Sequence, residues 1–299
     1  MMTYTGPVFR PPFEANSLLL QVTSGCSHNK CTFCTMYKNV PFRVSPMEEI
    51  EKDLLCAKKM YGSVRRIFLE NADPFALSAS RLKAIAEKIN EVFPDVETIA
   101  MYASIKNIIG KTDEELRELR ELKINELNIG VESGLDEALT HLNKGFDLEE
   151  ARTQLKRLND AGIDFSLNII LGAAGSEKSL SNAIASAKLV NEARPYLIFV
   201  ATLHVDKGST LYDEMETGAF VENTLGDNLR EELEFLRRLD LNGTAFFGLH
   251  TSNVIPLAGT LPKDKADLVD KLEKGIASIP GRVLNSRPEK GYEGAAIIR

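Results

Sequence analysis

The chain has 299 residues, 43% of them hydrophobic, enough for one large domain or a domain with an appendage and for a full core. Its 36 Lys and Arg stand against 43 Asp and Glu, a formal net charge of −7 with no long basic run and no Trp, which excludes the electrostatic footprint of a general nucleic-acid binder. The longest strongly apolar stretches are strand-sized and the N-terminal MMTYTGPVFRPP has no apolar signal region, so a soluble, cytoplasmic protein without membrane attachment is expected.

In chain order, strand-like runs alternate with helix-like runs from residue 17 to about residue 216. The strands read SLLLQVT (17–23), VRRIFLE (64–70), ETIAMYA (97–103), ELNIGVE (126–132), DFSLNIILG (164–172) and YLIFVATLHV (196–205). Most are short apolar runs with little alternation, as in strands buried on both faces of a parallel sheet. Ser45-Pro46 with Glu48, Thr112 with Glu115 and Asp147 with Glu150 carry helix-start signals. Six strand–helix units with right-handed crossovers fit either a doubly wound sheet or an incomplete barrel of the triosephosphate-isomerase type, and periodicity does not choose between them. Past residue 216 the spacing predicts an amphipathic helix over 227–241, its run REELEFLRRLD a solvated face. A strand over 243–250 and a helix over 263–277 follow, then a polar tail, GRVLNSRPEKGYEGAAIIR, lying over the surface.

Three of the four cysteines, Cys26, Cys31 and Cys34, follow the first strand in the spacing C-x4-C-x2-C. In a reducing compartment such a cluster points to metal or catalysis rather than to disulfides. A loop leaving the C-terminal end of a parallel strand is where these folds place their chemistry. A cubane 4Fe–4S cluster normally takes four thiolates, so three would leave one iron open. The alternative is zinc, with His28 as fourth ligand of a Cys3His site. His28 follows Cys26 by only two residues, and no second ligand pair lies downstream. Cys56, inside EEIEKDLLCAKKMYG, reads as a small core hydrophobe, and His141 as structural.

With Phe33 between the last two cysteines, the loop resembles the signature of the radical S-adenosylmethionine (radical SAM) superfamily, C-x3-C-x-Φ-C with Φ aromatic. The first gap here is one residue longer. The resemblance implies an α/β fold, a partial (β/α)6 barrel over 1–206. A six-stranded barrel leaves an open side, and the segment long enough to close it follows residue 206, so a C-terminal α-rich extension over 207–299 is expected to close the barrel and contribute to the substrate site. It implies one 4Fe–4S cluster on Cys26, Cys31 and Cys34, its open iron taking S-adenosylmethionine, with Phe33 beside it.

Glu70-Asn71-Ala72-Asp73 stands where relatives often carry Gly-Gly-Glu, which makes Glu70, Asn71 and Asp73 candidates for the methionine amino group. Ser104 follows the third strand, where many members place a polar contact to the cofactor. The segment NIGVESGLDEALTHLNKG (128–145) resembles the fourth-strand segment of the branch holding oxygen-independent coproporphyrinogen oxidase, the Elongator catalytic subunit and the tRNA methylthiotransferases. By that likeness Glu132 contacts the methionine moiety, Lys144 its carboxylate, and Asn168, in NIILGAAG, the ribose hydroxyls. LHTSNVIPLAGTLPKDK (249–265) is similar to the C-terminal segment of a group of bacterial and archaeal radical SAM proteins.

The family implies reductive cleavage of S-adenosylmethionine to a 5′-deoxyadenosyl radical, which abstracts hydrogen from a small-molecule substrate, with an external electron donor such as flavodoxin or ferredoxin. His204 and His250, at strand ends, and Asn253 are the expected catalytic residues, polar groups on an apolar scaffold. Two alternatives stand beside this reading. A tRNA-modifying radical enzyme lacks support in a chain without a basic stripe or RNA-binding appendage. The other is a non-catalytic zinc or iron–sulfur module.

Overall fold

The computed structural model describes residues 2–287, so the end of the predicted polar tail lies outside the described residues. The strands are β1 (Leu18–Gln21), β2 (Thr23–Ser24), β3 (Arg43–Val44), β4 (Arg66–Glu70), β5 (Thr98–Ala103), β6 (Ile124–Glu132), β7 (Phe165–Leu171), β8 (Leu197–Thr202), β9 (Ala245–Gly248) and β10 (Leu257–Thr260). The helices are α1 (Met47–Tyr61), α2 (Ala79–Val92), α3 (Ile105–Ile109), α4 (Asp113–Glu121), α5 (Asp136–His141), α6 (Leu148–Asp160), α7 (Ser179–Ala193), α8 (Thr210–Thr217), α9 (Leu225–Arg238), α10 (Lys265–Ser278) and α11 (Gly281–Leu284). Among the described residues an eight-stranded sheet runs in the order β1-β4-β5-β6-β7-β8-β9-β10. It is mostly parallel, with β10 antiparallel to β9. This is the α/β arrangement of a partial barrel built from successive strand–helix units.

Two compact units divide the chain. The first holds residues 2–29, 36–129 and 153–165. Its core is the run Ile67, Phe68 and Leu69 of β4, fully buried, with Ile50 and Leu54 of α1 and Leu82, Ile85 and Ile89 of α2. Burial on both faces explains why β4 reads as a continuous apolar run. At the start of β4, Arg66 donates to Glu14 (Nε to Oε2, 2.8 Å) and to Glu126 (2.8 and 2.7 Å). These bonds compensate the burial of Glu14.

The second unit holds 30–35, 130–152 and the described residues from 166 on. Its α9 departs from the expected solvated face. Glu231 is buried and accepts from Gly172 N–H (3.1 Å), Ser179 Oγ (2.8 Å), Asn182 Nδ2 (2.7 Å) and Asn223 Nδ2 (2.8 Å). Glu232 is also buried, and burial pushes its carboxyl up to about 8. The charge pattern suggested i,i+4 pairs, and Arg238–Glu234 makes one at 2.5 Å. The inner face of the same helix takes its neighbours from other elements, which no local pattern encodes.

Helix starts follow the sequence in two cases out of three. Thr112 and Glu115 form a reciprocal capping box, and Asp147 and Glu150 exchange backbone N–H bonds of 3.1 and 2.8 Å. At α1, Pro46 itself is the cap residue and no side chain caps. Ser45 precedes proline, which disfavours helical backbone, and its N–H donates to Val22 O at 3.0 Å, extending the β2–β3 ladder. The C-terminal part supplies two strands to the sheet as well as helices. β10 was not foreseen because LAGT is short, with one buried residue. Cys56 is half-buried rather than in the core, since α1 buries Ile50, Asp53, Leu54 and Ala57 and Cys56 lies to the side of that stripe. Among the described residues no helix is long and apolar enough to cross a membrane.

Candidate active site

The cysteine loop leaves β1 and is pinned at its neck by the β2–β3 ladder, which pairs Thr23 with Val44 and Ser24 with Arg43. Gly25 follows at φ +70°, and a Cβ there would lie 2.6 Å from Val40 O and 2.8 Å from Pro41 O. Only glycine accommodates both the left-handed backbone and that approach. Its N–H donates to Asn71 Oδ1 (3.2 Å). Cys26 Sγ accepts the N–H of Asn29 at 3.4 Å, and Asn29 Nδ2 donates to Tyr37 O at 3.0 Å.

The end of β4 meets this part of the loop. Glu70 and Asn71 are fully buried, and Asp73 nearly so. Asn71 Nδ2 donates to Glu70 Oε2 (3.1 Å), and Ser27 Oγ donates to Asp73 Oδ2. Glu70 Oε1 and Asp73 Oδ1 have no hydrogen-bond partner. Burial pushes the Glu70 carboxyl up to about 7 and raises that of Asp73 against the opposing bond from Ser27. A buried acceptor without a donor carries a desolvation cost, and a cationic ligand group would remove it. Lys111, pushed down to about 8 by burial, donates to the carbonyls of Phe75 (2.7 Å) and Leu77 (3.1 Å), just beyond Asp73. Ser104 is committed elsewhere: its Oγ accepts Asn107 N–H in the capping box of α3.

In the second unit, Lys30 to Thr35 are fastened by Thr32 N–H to Leu142 O (3.1 Å) and Thr32 Oγ1 to His141 O (3.0 Å). Leu211 N–H donates to Thr32 O (2.9 Å) and Asn143 Nδ2 to Lys30 O (2.9 Å). A turn with Cys34 N–H on Cys31 O (3.4 Å) spans the last two cysteines. Phe33 packs on an apolar cluster of Leu142, Ala173, Leu203, Val205, Leu211 and Met215.

Lys144 Nζ reaches Glu132 Oε1 at 3.0 Å and stands 5.9 Å from the Phe33 ring centroid. Burial lowers its pKa, but the Glu132 carboxylate and the sulfur of Cys31 outweigh that and raise it overall. Gly130 makes room for the pair, since a Cβ there would collide with Glu132 Oε1. Asn168 faces the partly buried side of β7. His204 lies two residues past β8 and pairs with Asp206 (3.2 Å), whose Oδ2 accepts Thr35 Oγ1 (2.7 Å). Asp206 and Thr35 were not singled out from the sequence. Their only signal is position, one past a strand end and one next to a cysteine.

Asn253 gives its amide to the backbone: Nδ2 donates to Val200 O (2.8 Å) and Gly248 O (3.1 Å), and Oδ1 accepts Thr202 Oγ1 (2.9 Å). It fixes strand ends and has no donor left for a reactant. His141, read as structural, pairs with Glu214 at 2.5 Å.

Among the described residues no three His, Cys, Asp or Glu side chains converge as a ready-made metal site. The fit to an iron–sulfur cluster and a zwitterionic cofactor rests instead on the donor set. The first unit offers the Cys26 thiol and, on the segment bonded to Gly25 and Ser27, the unpaired buried carboxylate oxygens of Glu70 and Asp73. The second offers the Cys31 and Cys34 thiols with the buried Lys144 cation beside them.

The family model described as Radical SAM superfamily matches residues 20–184. The heme chaperone HemW of Bacillus subtilis (strain 168) is 25% identical over 201 residues, 64% of this chain and 52% of the relative, so the chain spans about half the length of that protein. The crystal structure of methylornithine synthase (PylB) aligns with a TM-score of 0.57 over 86% of this chain and 68% of that one, at 16% identity. The archaeal Methanocaldococcus infernus Elp3 aligns with a TM-score of 0.51 over 87% of this chain and 64% of that one, at 14% identity. At such identities the two structures bear on the fold alone.

Proposed function

The chain belongs to the radical SAM superfamily of enzymes, which implies a 4Fe–4S cluster and S-adenosylmethionine, and from that premise we propose that Cys26, Cys31 and Cys34 hold a single cluster with one iron open to the cofactor. When bound, the pair supplies a 5′-deoxyadenosyl radical able to take a hydrogen atom from a small-molecule substrate. The chain's own residues bind, orient and exclude water.

Glu70 and Asp73 accept from the methionine ammonium through the oxygens that now lack partners. Lys144 meets the methionine carboxylate, and Glu132 holds that lysine in place. Asn168 takes the ribose hydroxyls. The apolar seat of Phe33 and the Thr35–Asp206–His204 chain keep the second half of the cysteine loop in register. An external donor of the flavodoxin or ferredoxin kind supplies the electron.

The observation that carries this reading is the pair of unpartnered, buried carboxylate oxygens on the segment hydrogen-bonded to the cysteine loop. Anaerobically reconstituted protein, reduced with dithionite in the presence of S-adenosylmethionine, is expected to release 5′-deoxyadenosine and methionine. A full cluster without either product would overturn the proposal.

A second reading, a heme chaperone role of the kind the name of the Bacillus subtilis relative gives for that protein, is favoured by the 25% identity over 201 residues. Titration with hemin distinguishes it, through a saturable Soret band at one equivalent per chain.

A further inference from the structure

We propose that Phe199, Phe247 and His250 form a wall of the substrate site, and that the substrate is a flat, conjugated molecule with a carbonyl or carboxylate oxygen at its edge. The inference rests on the radical SAM reading above and names the substrate class which that reading leaves open.

Register places the wall. Asn168 of β7 pairs with Phe199 of β8, and Phe199 with Phe247 of β9, in parallel ladders. Residues paired in this way point to the same face of the sheet. Their alternating neighbours Ile198, Val200 and Phe246 are buried. That other face lies against α9, because a Cβ on Gly248 would come within 3.4 Å of Glu232 Oε1. Asn168, Phe199 and Phe247 are only partly buried and face away from α9. One step along the strands toward their C-terminal ends, Ile170 pairs with Ala201, and Ile170 packs on the apolar cluster that also seats Phe33. The aromatic row thus continues from the proposed ribose contact and lies one row below the support of the cysteine loop.

The rings suit a planar guest. Phe199 and Phe247 are stacked, with centroids 5.7 Å apart and planes 15° from parallel. His250 meets Phe199 edge-on at 5.7 Å. Offset and edge-on geometries are those aromatic systems prefer, and a further conjugated ring extends such an array at a gain beyond its buried area.

The polar end of the wall is a defined donor. Thr202 N–H donates to Ser252 Oγ at 2.9 Å, leaving that hydroxyl to donate to His250 Nδ1 at 2.7 Å. Ser252 N–H donates to the same nitrogen at 3.2 Å. Nδ1 is therefore an acceptor, so the proton of the neutral ring sits on Nε2. Burial lowers the pKa of His250 and favours that neutral form. Asn253, through its three bonds to β8 and the end of β9, positions the loop that carries the imidazole. An apolar, aromatic surface with one fixed N–H at its rim selects for a flat body with an acceptor oxygen.

The test uses reconstituted holoenzyme with S-adenosylmethionine and three probes, 2-naphthoate, naphthalene and cyclohexanecarboxylate, followed by ligand-observed NMR. 2-Naphthoate is expected to bind about tenfold more tightly than cyclohexanecarboxylate, and Phe199→Leu and Phe247→Leu each to weaken it about tenfold. Phe247→Tyr, which keeps the ring, retains binding, and His250→Leu weakens 2-naphthoate while leaving naphthalene unaffected. Cluster absorbance and the unfolding midpoint identify any variant that fails to fold, and the Tyr variant then carries the comparison. Equal affinity for the aromatic and the saturated carboxylate, or undiminished naphthoate binding in both folded Leu variants, overturns the proposal. None of these readouts requires turnover, so a wild-type enzyme that forms no 5′-deoxyadenosine would count against the radical SAM reaction and leave this result separate.

Discussion

Lys144 Nζ stands 3.0 Å from Glu132 Oε1, with only 10% and 11% of the two side chains exposed. A pair so sequestered is weak evidence of stability in itself, but removing one partner strands the other charge. Lys144→Met alone is expected to destabilise by about 3–5 kcal/mol, and the Glu132→Gln, Lys144→Met double variant by less than the sum of its singles. Urea unfolding of all three variants gives the coupling. Additive single effects would show that the pair is not coupled.

Replacing any one of Cys26, Cys31 or Cys34 by Ala is expected to abolish the cluster, because three thiolates are the minimum that leaves one iron open. Cys56→Ala should retain it. Iron and acid-labile sulfide, read beside visible absorbance, decide the matter, and a full cluster in Cys31→Ala would remove that residue from the ligand set.

Glu70 is pushed up to about 7, so a cofactor contact made through it would depend on pH. Its proposed partner is an ammonium, so the carboxylate form binds, and affinity for S-adenosylmethionine should rise as pH increases through about 7. Calorimetry on Glu70→Gln should show weaker binding without that rise. The same pH profile in both proteins would count against the contact.

Glu232, with a pKa of about 8 from burial, bears on stability instead. Its folded pKa exceeds the unfolded value, so the folded state binds more protons between the two and stability falls with rising pH across that window. Glu232→Gln should remove the penalty. The variant is expected to gain over wild type at about pH 9 and to lose that advantage near pH 4, where both states are protonated. A constant difference in urea midpoint across the range would contradict the assignment.

Gly25 and Gly162 share a φ of +70°, yet a Cβ on Gly25 would lie 2.6 Å from Val40 O while one on Gly162 has nothing within 4 Å. Gly162→Ala should therefore cost only the backbone term, about 1 kcal/mol. Gly25→Ala should cost more and lower the cluster content of reconstituted protein. Equal unfolding midpoints and equal iron content would show that the neck of the loop tolerates a side chain.

The repeating strand and helix runs, the spacing of Cys26, Cys31 and Cys34, and the capping pairs at Thr112 and Asp147 were legible because each is written in neighbouring residues. Apolar runs must be buried, caps act over three positions, and the three cysteines lie close together in one stretch of chain. Tertiary structure alone decided which oxygens of Glu70 and Asp73 stay unpaired, that Asn253 is spent on backbone carbonyls, that Glu231 and Glu232 turn inward from a helix patterned for water, and that Phe199, Phe247 and His250 meet. Those outcomes depend on register and on partners tens of residues away in the chain. A carboxylate looks the same in the sequence whether its second oxygen finds a donor or not.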